Sequence, residues 1–208
     1  MTSAERSLKF FFDRLVAAVG LVVLSPLILI IGLAVKVFMG KGPVLFKQQR
    51  VGKDGKLFTI VKFRTMEVGH GGCNITVEGE DRIYPFGAVL RKLHLDEMPE
   101  LWNVLKGEMS FVGPRPDVPG YADNLSGPDR EILRLRPGIT GPATLKYRDE
   151  EHLLASQDDP WKYNDEVIFP DKVRINRYYI DHFSFLEDIR IIFATITGRR
   201  ILYGGEMI

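Results

Sequence analysis

The run from Leu15 to Val35 is apolar at every position except Ser25, and Pro26 stands beside that serine near the middle of the run. About 20 such residues suffice to cross a bilayer as a helix. The run exceeds the roughly 7 to 15 residues of a leader's apolar region, and no small-residue cleavage site follows it, so a cleaved leader is not expected. Proline at this depth removes a helix hydrogen bond and is expected to kink or break the helix, with the Ser25 hydroxyl at hand for the freed carbonyl. Both flanks are basic: Arg6, Lys9 and Arg14 come before, and Lys36, Lys41, Lys47, Arg50 and Lys53 come after. A spanning helix concentrates such charge on one side. The expectation is therefore a re-entrant helix-break-helix that turns at Ser25-Pro26 and returns to the face it entered, with a kinked single span as the alternative.

Beyond this segment the pattern is mixed. Val44 to Val51 and Leu57 to Met66 read as two strands joined across Asp54-Gly55, a hairpin signal. In the second strand Phe58, Ile60, Lys62 and Arg64 share one face by period two, which on this segment alone reads as solvated. Glu67 to Asp81 is polar and aperiodic and reads as a loop. Phe86, Val89, Leu90 and Leu93 mark one helix, and Met98, Leu101, Trp102 and Leu105 mark the next, ended by Gly107. A modest helix is expected within 121 to 135. Ser184 and Glu187 form a capping box for a helix ending at Gly198. Trp161, Tyr163, Tyr178 and Tyr179 with Arg174 and Arg177 suit either a membrane-facing surface or ordinary core and rim. The fold class expected is α+β: a membrane-associated segment over 1–40, then a small globular domain over 41–208 with a β-hairpin and several helices, some interfacial.

Lys and Arg total 28 against 27 Asp and Glu, so no overall basic field argues for nucleic acid. The single cysteine, Cys73, excludes an intramolecular disulfide and a cysteine metal cluster. His94 and His152 lack a second histidine at ligand spacing and read as structural or surface residues.

Chemistry gathers at Asp96-Glu97. Asp96 is placed to cap the helix that follows and Glu97 to sit in its first turn, which is what any stable helix favours. A helix N-terminus also suits a phosphate, so the same carboxylates are candidates for attack at phosphorus and for holding a divalent cation. Lys62, Arg64, Arg91, Arg115, Arg136 and Arg148 are the cations that would converge on a diphosphate there. Arg115 lies in a proline-stiffened segment, VGPRP, and Arg136 in a second stiff turn, RPGITG. A glycosidase with two carboxylates is disfavoured, because such pairs flank a bond at about 5 to 9.5 Å. A membrane-anchored scaffold whose acidic pair is only a cap is the non-enzymatic alternative.

The ordered set LDEMPELWNVLKGEMSFVGPRP, RPGITG, KFRTM and Ser25-Pro26 followed by GPVLFKQQRVGKDGKLF resembles the bacterial sugar transferase family, the small monotopic phosphoglycosyl transferases, over roughly residues 6 to 142. The resemblance implies transfer of a sugar-1-phosphate from a UDP-sugar to polyprenyl (undecaprenyl) phosphate, releasing UMP at the first membrane step of surface glycan or glycoprotein glycan assembly. It implies Asp96 as the nucleophile of a covalent phospho-sugar intermediate and Glu97, with Asp96, as the holder of Mg²⁺. Lys62, Arg91 and Arg115, and more loosely Arg148, fall at positions that bind phosphate in such enzymes. It further implies a re-entrant segment at Ser25-Pro26 on the cytosolic face of the bacterial inner membrane, with downstream glycosyltransferases as partners. After Gly141 the chain reads PATLKYRDEEHLLASQDDPWKYN and leaves the family pattern, so no particular sugar is implied.

Overall fold

A computed structural model describes residues 3–67 and 82–208; Cys73 and the polar segment around it lie outside the described residues. The apolar run lies inside one helix, α1 (Ser3–Phe38), with Pro26 in its interior. The carbonyl left without a donor by the missing Pro26 N–H is that of Val22, and Ser25 Oγ donates to it at 2.7 Å. The hydroxyl thus replaces the lost bond within the same turn, and the expected helix-break-helix is corrected to one helical run through Ser25 and Pro26.

One face of α1 is docked along its length. Ala17 packs with Phe58, Ile60, Val104 and Met109, and Ile31, Val35 and Met39 pack with Phe63 and Leu90. Near its start the docking is polar: Lys9 Nζ donates to Asp188 Oδ2 at 2.6 Å and Ser110 Oγ donates to Asp13 Oδ2 at 2.7 Å. The opposite face, including Leu15, Val19, Val22, Leu29, Ile30 and Leu33, is exposed.

The hairpin forms as read from its alternation, β1 (Leu45–Val51) against β2 (Leu57–Phe63), antiparallel with Leu45 opposite Phe63. The face of Phe58, Ile60, Lys62 and Arg64 turns inward rather than to solvent: Phe58, Ile60 and Arg64 are buried and Lys62 is nearly so. Helix α2 (Pro85–Lys92) and a 3₁₀ turn over Leu95–Glu97 lead into α3 (Glu100–Lys106), which ends at Gly107 in the left-handed conformation as expected.

Helix α3 lies between α1 and β2. Asn103 Oδ1 accepts from Val61 N–H at 3.2 Å, and its Nδ2 donates to Thr59 C=O at 2.7 Å. One amide side chain thereby satisfies the strand edge that β1 leaves open. Because α3 is covered on two sides, Glu100, Asn103 and Val104 are buried along with Leu101, while Trp102 is 52% exposed. The expected single apolar stripe is corrected to that extent.

The two proline turns are braced against each other. Strands β3 (Ser110–Val112) and β4 (Gly138–Thr140) pair in parallel, Gly113 N–H donates to Thr140 C=O at 2.9 Å, and Gly138 N–H donates to Pro114 C=O at 2.8 Å. A Cβ on Gly113 would fall 2.5 Å from the Arg136 carbonyl oxygen. That backbone approach needs glycine and holds the segment carrying Arg115.

The segment 121–135 forms two 3₁₀ stretches, Ala122–Asn124 and Gly127–Arg134, in place of an α-helix. Then come α4 (Pro142–Lys146), α5 (Glu150–Ala155), α6 (Pro160–Tyr163), a π-turn over Asn164–Ile168, α7 (Phe169–Asp181) and α8 (Phe185–Thr197). A small hairpin, β5 (Leu202–Tyr203) with β6 (Glu206–Met207), closes the core of Val112, Leu145, Tyr179, Phe183 and Ile191. Ser184 precedes α8 without making a side-chain capping bond. Tyr179 is core, and Arg174 and Arg177 are held by Asp171, Glu206 and Asp129. The outward residues of α8, namely Leu186, Ile189, Phe193 and Ile196, form an exposed apolar face instead.

Candidate active site

Asp96 and Glu97 occupy the 3₁₀ turn one step before α3, entered through His94 in the left-handed conformation at φ 53°. Pro99, not Asp96, takes the N-cap position of α3, and no side chain caps that helix. The capping role open to Asp96 in the sequence is therefore corrected. Its carboxylate is buried and, among the described residues, accepts no hydrogen bond. Burial pushes its pKa up against the pull of Lys62, Glu97 adds to the rise, and Arg91 and Arg115 oppose it.

Glu97 is the reverse case. Its Oε1 accepts from Lys62 Nζ at 2.7 Å and from Arg115 Nη2 at 2.6 Å. Burial alone would raise its pKa, but the two cations prevail and hold it far below the usual carboxylate range. Arg115 is raised in turn, chiefly by Glu97. Two adjacent carboxylates thus sit in opposite electrostatic states, one committed to cations and one uncommitted.

Of the six expected cations, the structure gathers Lys62, Arg91 and Arg115 around the pair. Arg91 also forms an ion pair with Glu151 of α5, which brings the divergent segment after Gly141 to the edge of the site. The other three are spent elsewhere, and all in one manner. Arg64 donates to the carbonyls of Met39 and Lys41 at 3.0 and 2.8 Å, just past the end of α1. Arg136 Nε donates to Gly107 C=O at 2.7 Å, at the end of α3. Arg148 Nη1 donates to Gly198 C=O at 2.7 Å, at the end of α8. Each satisfies carbonyls that a helix C-terminus leaves without partners, so the structure gives these three a bracing role at helix ends in place of a contact with the acidic pair.

Sequence reading missed several charged neighbours. Glu100 is buried one helical turn past Asp96, with Lys62 Nζ 3.0 Å from its Oε1, and burial pushes its pKa up to about 6. Arg50 donates to Pro116 C=O at 3.2 Å, bracing the Arg115 segment from β1, and burial followed by the charge of Arg115 lowers its pKa to about 10. Asp117, beside Arg115, is raised to about 6 by burial despite Lys172 and Arg50. The one available signal was spacing, since Glu100 stands three residues after Glu97 and returns to the same side of a turn.

A divalent cation is tested against this set by donor chemistry. Mg²⁺ takes oxygen ligands and is held by one or two carboxylates together with substrate phosphate and water. Asp96 and Glu97 supply two such carboxylates at adjacent positions, and the uncommitted, buried Asp96 is a group whose ionised form a cation would favour. The donor set fits.

A sequence model of the bacterial sugar transferases matches residues 4–199. The chain is 37% identical over 200 residues to a UDP-N-acetylgalactosamine-undecaprenyl-phosphate N-acetylgalactosaminephosphotransferase of Aeromonas hydrophila, covering 92% of this chain and 43% of that protein. It is 36% identical over 200 residues to the exopolysaccharide production protein PSS of Rhizobium leguminosarum bv. phaseoli, covering 92% of this chain and 94% of that protein. It is 32% identical over 206 residues to the UDP-glucose:undecaprenyl-phosphate glucose-1-phosphate transferase of Escherichia coli K12, covering 94% of this chain and 41% of that protein. The chain thus spans less than half the length of the two relatives named for a reaction and nearly all of the shorter one. With a family match across nearly its whole length, the chain belongs to the bacterial sugar transferase family.

Proposed function

We propose that the protein transfers a sugar-1-phosphate from a UDP-sugar to polyprenyl phosphate, the reaction for which two of its relatives are named. The observation that carries this reading is the Asp96 carboxylate, buried and uncommitted, with Lys62, Arg91 and Arg115 around it. An Asp96 oxygen attacks the sugar-bearing phosphorus; a P–O bond forms, the P–O bond to the uridine-bearing phosphate breaks, and UMP leaves with the electron pair. A phosphate oxygen of the polyprenyl acceptor then attacks the same phosphorus and displaces the Asp96 carboxylate, giving polyprenyl-diphosphate-sugar. Splitting one displacement into two is the general advantage of a covalent nucleophile. Arg115, pre-positioned by the braced glycine turns, and Lys62 hold phosphate oxygens. Mg²⁺, held by Asp96 and Glu97, would supply neutralisation of the diphosphate charge.

The membrane reading has its own support. A 36-residue helix is roughly 54 Å long. Both its Lys9–Asp13 end and its Val35–Met39 end pack on the same globular domain. A helix so docked keeps both ends on one side, which agrees with its two basic flanks. We place that side at the cytosolic face of the bacterial inner membrane, with α1 entering and, through a bend of the helix at Pro26, returning. The exposed faces of α1 and α8 meet where Phe12 and Phe185 contact edge to face at 5.1 Å, and together they form the lipid-facing surface. With Cys73 replaced by Ser, cysteines introduced at Ser3 and Lys41 should react from the same side of sealed vesicles; reaction from opposite sides refutes the arrangement.

The chemistry is tested by incubating purified protein with radiolabelled UDP-glucose and UDP-N-acetylgalactosamine, Mg²⁺ and no acceptor, then denaturing. Label retained by the parent chain and lost in Asp96→Asn supports the two-step route. Transfer to polyprenyl phosphate by Asp96→Asn at the parent rate overturns it.

A further inference from the structure

Lys62 is held by two carboxylates, and only one of them has another cation. Glu97 accepts from both Lys62 and Arg115 through Oε1. Glu100 has Lys62 as its one cation within 4.0 Å among the described residues. Glu100 is also 1% exposed, and its Oε1 completes no hydrogen bond of good geometry. A buried ion pair of this kind contributes little to stability, because desolvation offsets attraction. Its retention one turn past the reactive pair calls for another account.

Lysine carries its charge on a flexible four-carbon stem with three donors. From β2, Lys62 Nζ reaches up to the start of α3 and lies 2.7 Å from Glu97 and 3.0 Å from Glu100. In the reaction proposed above, Glu97 would also hold a divalent cation, so of the two carboxylates on Lys62 it is the one whose grip would loosen. Glu100 sits on the buried face of α3 and stays.

We infer that Glu100 is a positioning residue for the transfer reaction: it fixes the Lys62 ammonium over the reacting phosphate while Glu97 is engaged elsewhere. Two donors of Lys62 then remain for phosphate oxygens. The inference rests on the proposed function, since it assumes that Lys62 contacts the transferred phosphate. Glu100 itself touches neither substrate nor nucleophile.

The test is a double-mutant cycle on the full chain in detergent micelles, with Mg²⁺, polyprenyl phosphate and whichever of UDP-glucose or UDP-N-acetylgalactosamine the parent turns over. Glu100→Gln keeps shape and burial. It should lower kcat roughly 10- to 100-fold, the scale of a small misplacement of a reacting group, while the donor KM moves by less than about threefold. Lys62→Met should lower kcat at least as far, and Glu100→Gln with Lys62→Met should be no slower than Lys62→Met alone, because the two act as one unit. Multiplying effects in the double variant, or a kcat of Glu100→Gln within twofold of the parent, overturns the inference. If Glu100→Gln fails to fold, Glu100→Asp takes its place in the same cycle with the same expected and refuting outcomes. Asp96→Asn serves as the control: if it transfers at the parent rate, the proposed function fails, whereas a dead Asp96→Asn beside an additive cycle removes the inference alone.

Discussion

Lys9→Met is the perturbation for which the structure yields the sharpest magnitude. Lys9 Nζ donates to Asp188 Oδ2 at 2.6 Å, Tyr179 Oη donates to Asp188 Oδ1 at 2.6 Å, and both Lys9 and Asp188 are buried. Removing the lysine leaves a carboxylate with its hydrogen bond but without its cation. Breaking a buried pair from one side costs about 3 to 5 kcal/mol. At about 2 to 4 °C per kcal/mol for a chain of this size, Tm should fall by roughly 6 to 20 °C. The assay is thermal unfolding in detergent, followed by intrinsic fluorescence. Lys9→Met with Asp188→Asn should recover much of the loss, since the Asn oxygen still accepts from Tyr179 and no charge is left at position 188, although buried Asp13, 4.0 Å from Lys9 Nζ, loses its cation in both variants.

The pH dependence follows with a definite sign. Burial already raises the Asp188 pKa, and Lys9 is the chief group opposing that rise. Without Lys9 it rises further. A carboxylate whose folded pKa lies above its unfolded value contributes stability that is fully present below the unfolded pKa and lost as pH rises through the folded one. The deficit of Lys9→Met against the parent should therefore shrink on acidification and widen toward neutral pH. A Tm change under about 2 °C, or a double variant less stable than the single, would refute the assignment of this network as the polar anchor of α1.

Three further outcomes separate structure from chemistry. Arg64→Ala should lower stability by about 3 kcal/mol through loss of charged bonds to carbonyls with the donor KM unchanged, whereas Arg115→Ala should impair transfer with little change in Tm; the reverse pattern would return Arg64 to the substrate. Gly113→Ala puts a methyl group 2.5 Å from the Arg136 carbonyl oxygen. It should cost about 1 to 3 kcal/mol and slow transfer by displacing Arg115, checked by melting and kcat together. Asp117 has its pKa raised to about 6 from 3.8, so its contribution is fully present below pH ~3.8 and lost as pH rises through ~6. Relative to the parent, Asp117→Asn should gain up to about 3 kcal/mol between pH 4 and 7, and a flat difference across that range would contradict the shift.

Much of the fold was legible because it follows from local rules. The apolar run forms a helix, alternation gives the hairpin, and Gly107 and Gly198 end α3 and α8 in the left-handed conformation. The helix across Pro26 was not legible as continuous, because the outcome turned on one Ser25 rotamer reaching one carbonyl. In the site, a motif reading could not tell an arginine that faces the acidic pair from one that faces a helix end. Arg64, Arg136 and Arg148 each lie near a motif and each satisfies carbonyls past a helix terminus that is distant in sequence. Glu100 and Asn103 escaped notice because a stripe reading assigns a helix one buried face, and α3 has two neighbours.

Those two neighbours also link α1 to the acidic pair. At the C-terminal end of α3, Arg14 of α1 donates to Lys106 C=O at 2.7 Å and Arg136 donates to Gly107 C=O at 2.7 Å, with both guanidinium groups 4.3 Å from the Phe10 ring. Cations at that end suit the helix dipole. At the other end, Asp96 and Glu97 precede the first turn, held to β2 through Lys62. Seven residues of helix separate the two grips, a length of roughly 10 Å. Helix α3 is thus a short strut whose far end is clasped by α1 and whose near end follows Asp96 and Glu97. Under the proposed function, the depth of α1 in the membrane would set the height of Asp96 above it, the distance that an acceptor phosphate anchored by its lipid tail must match.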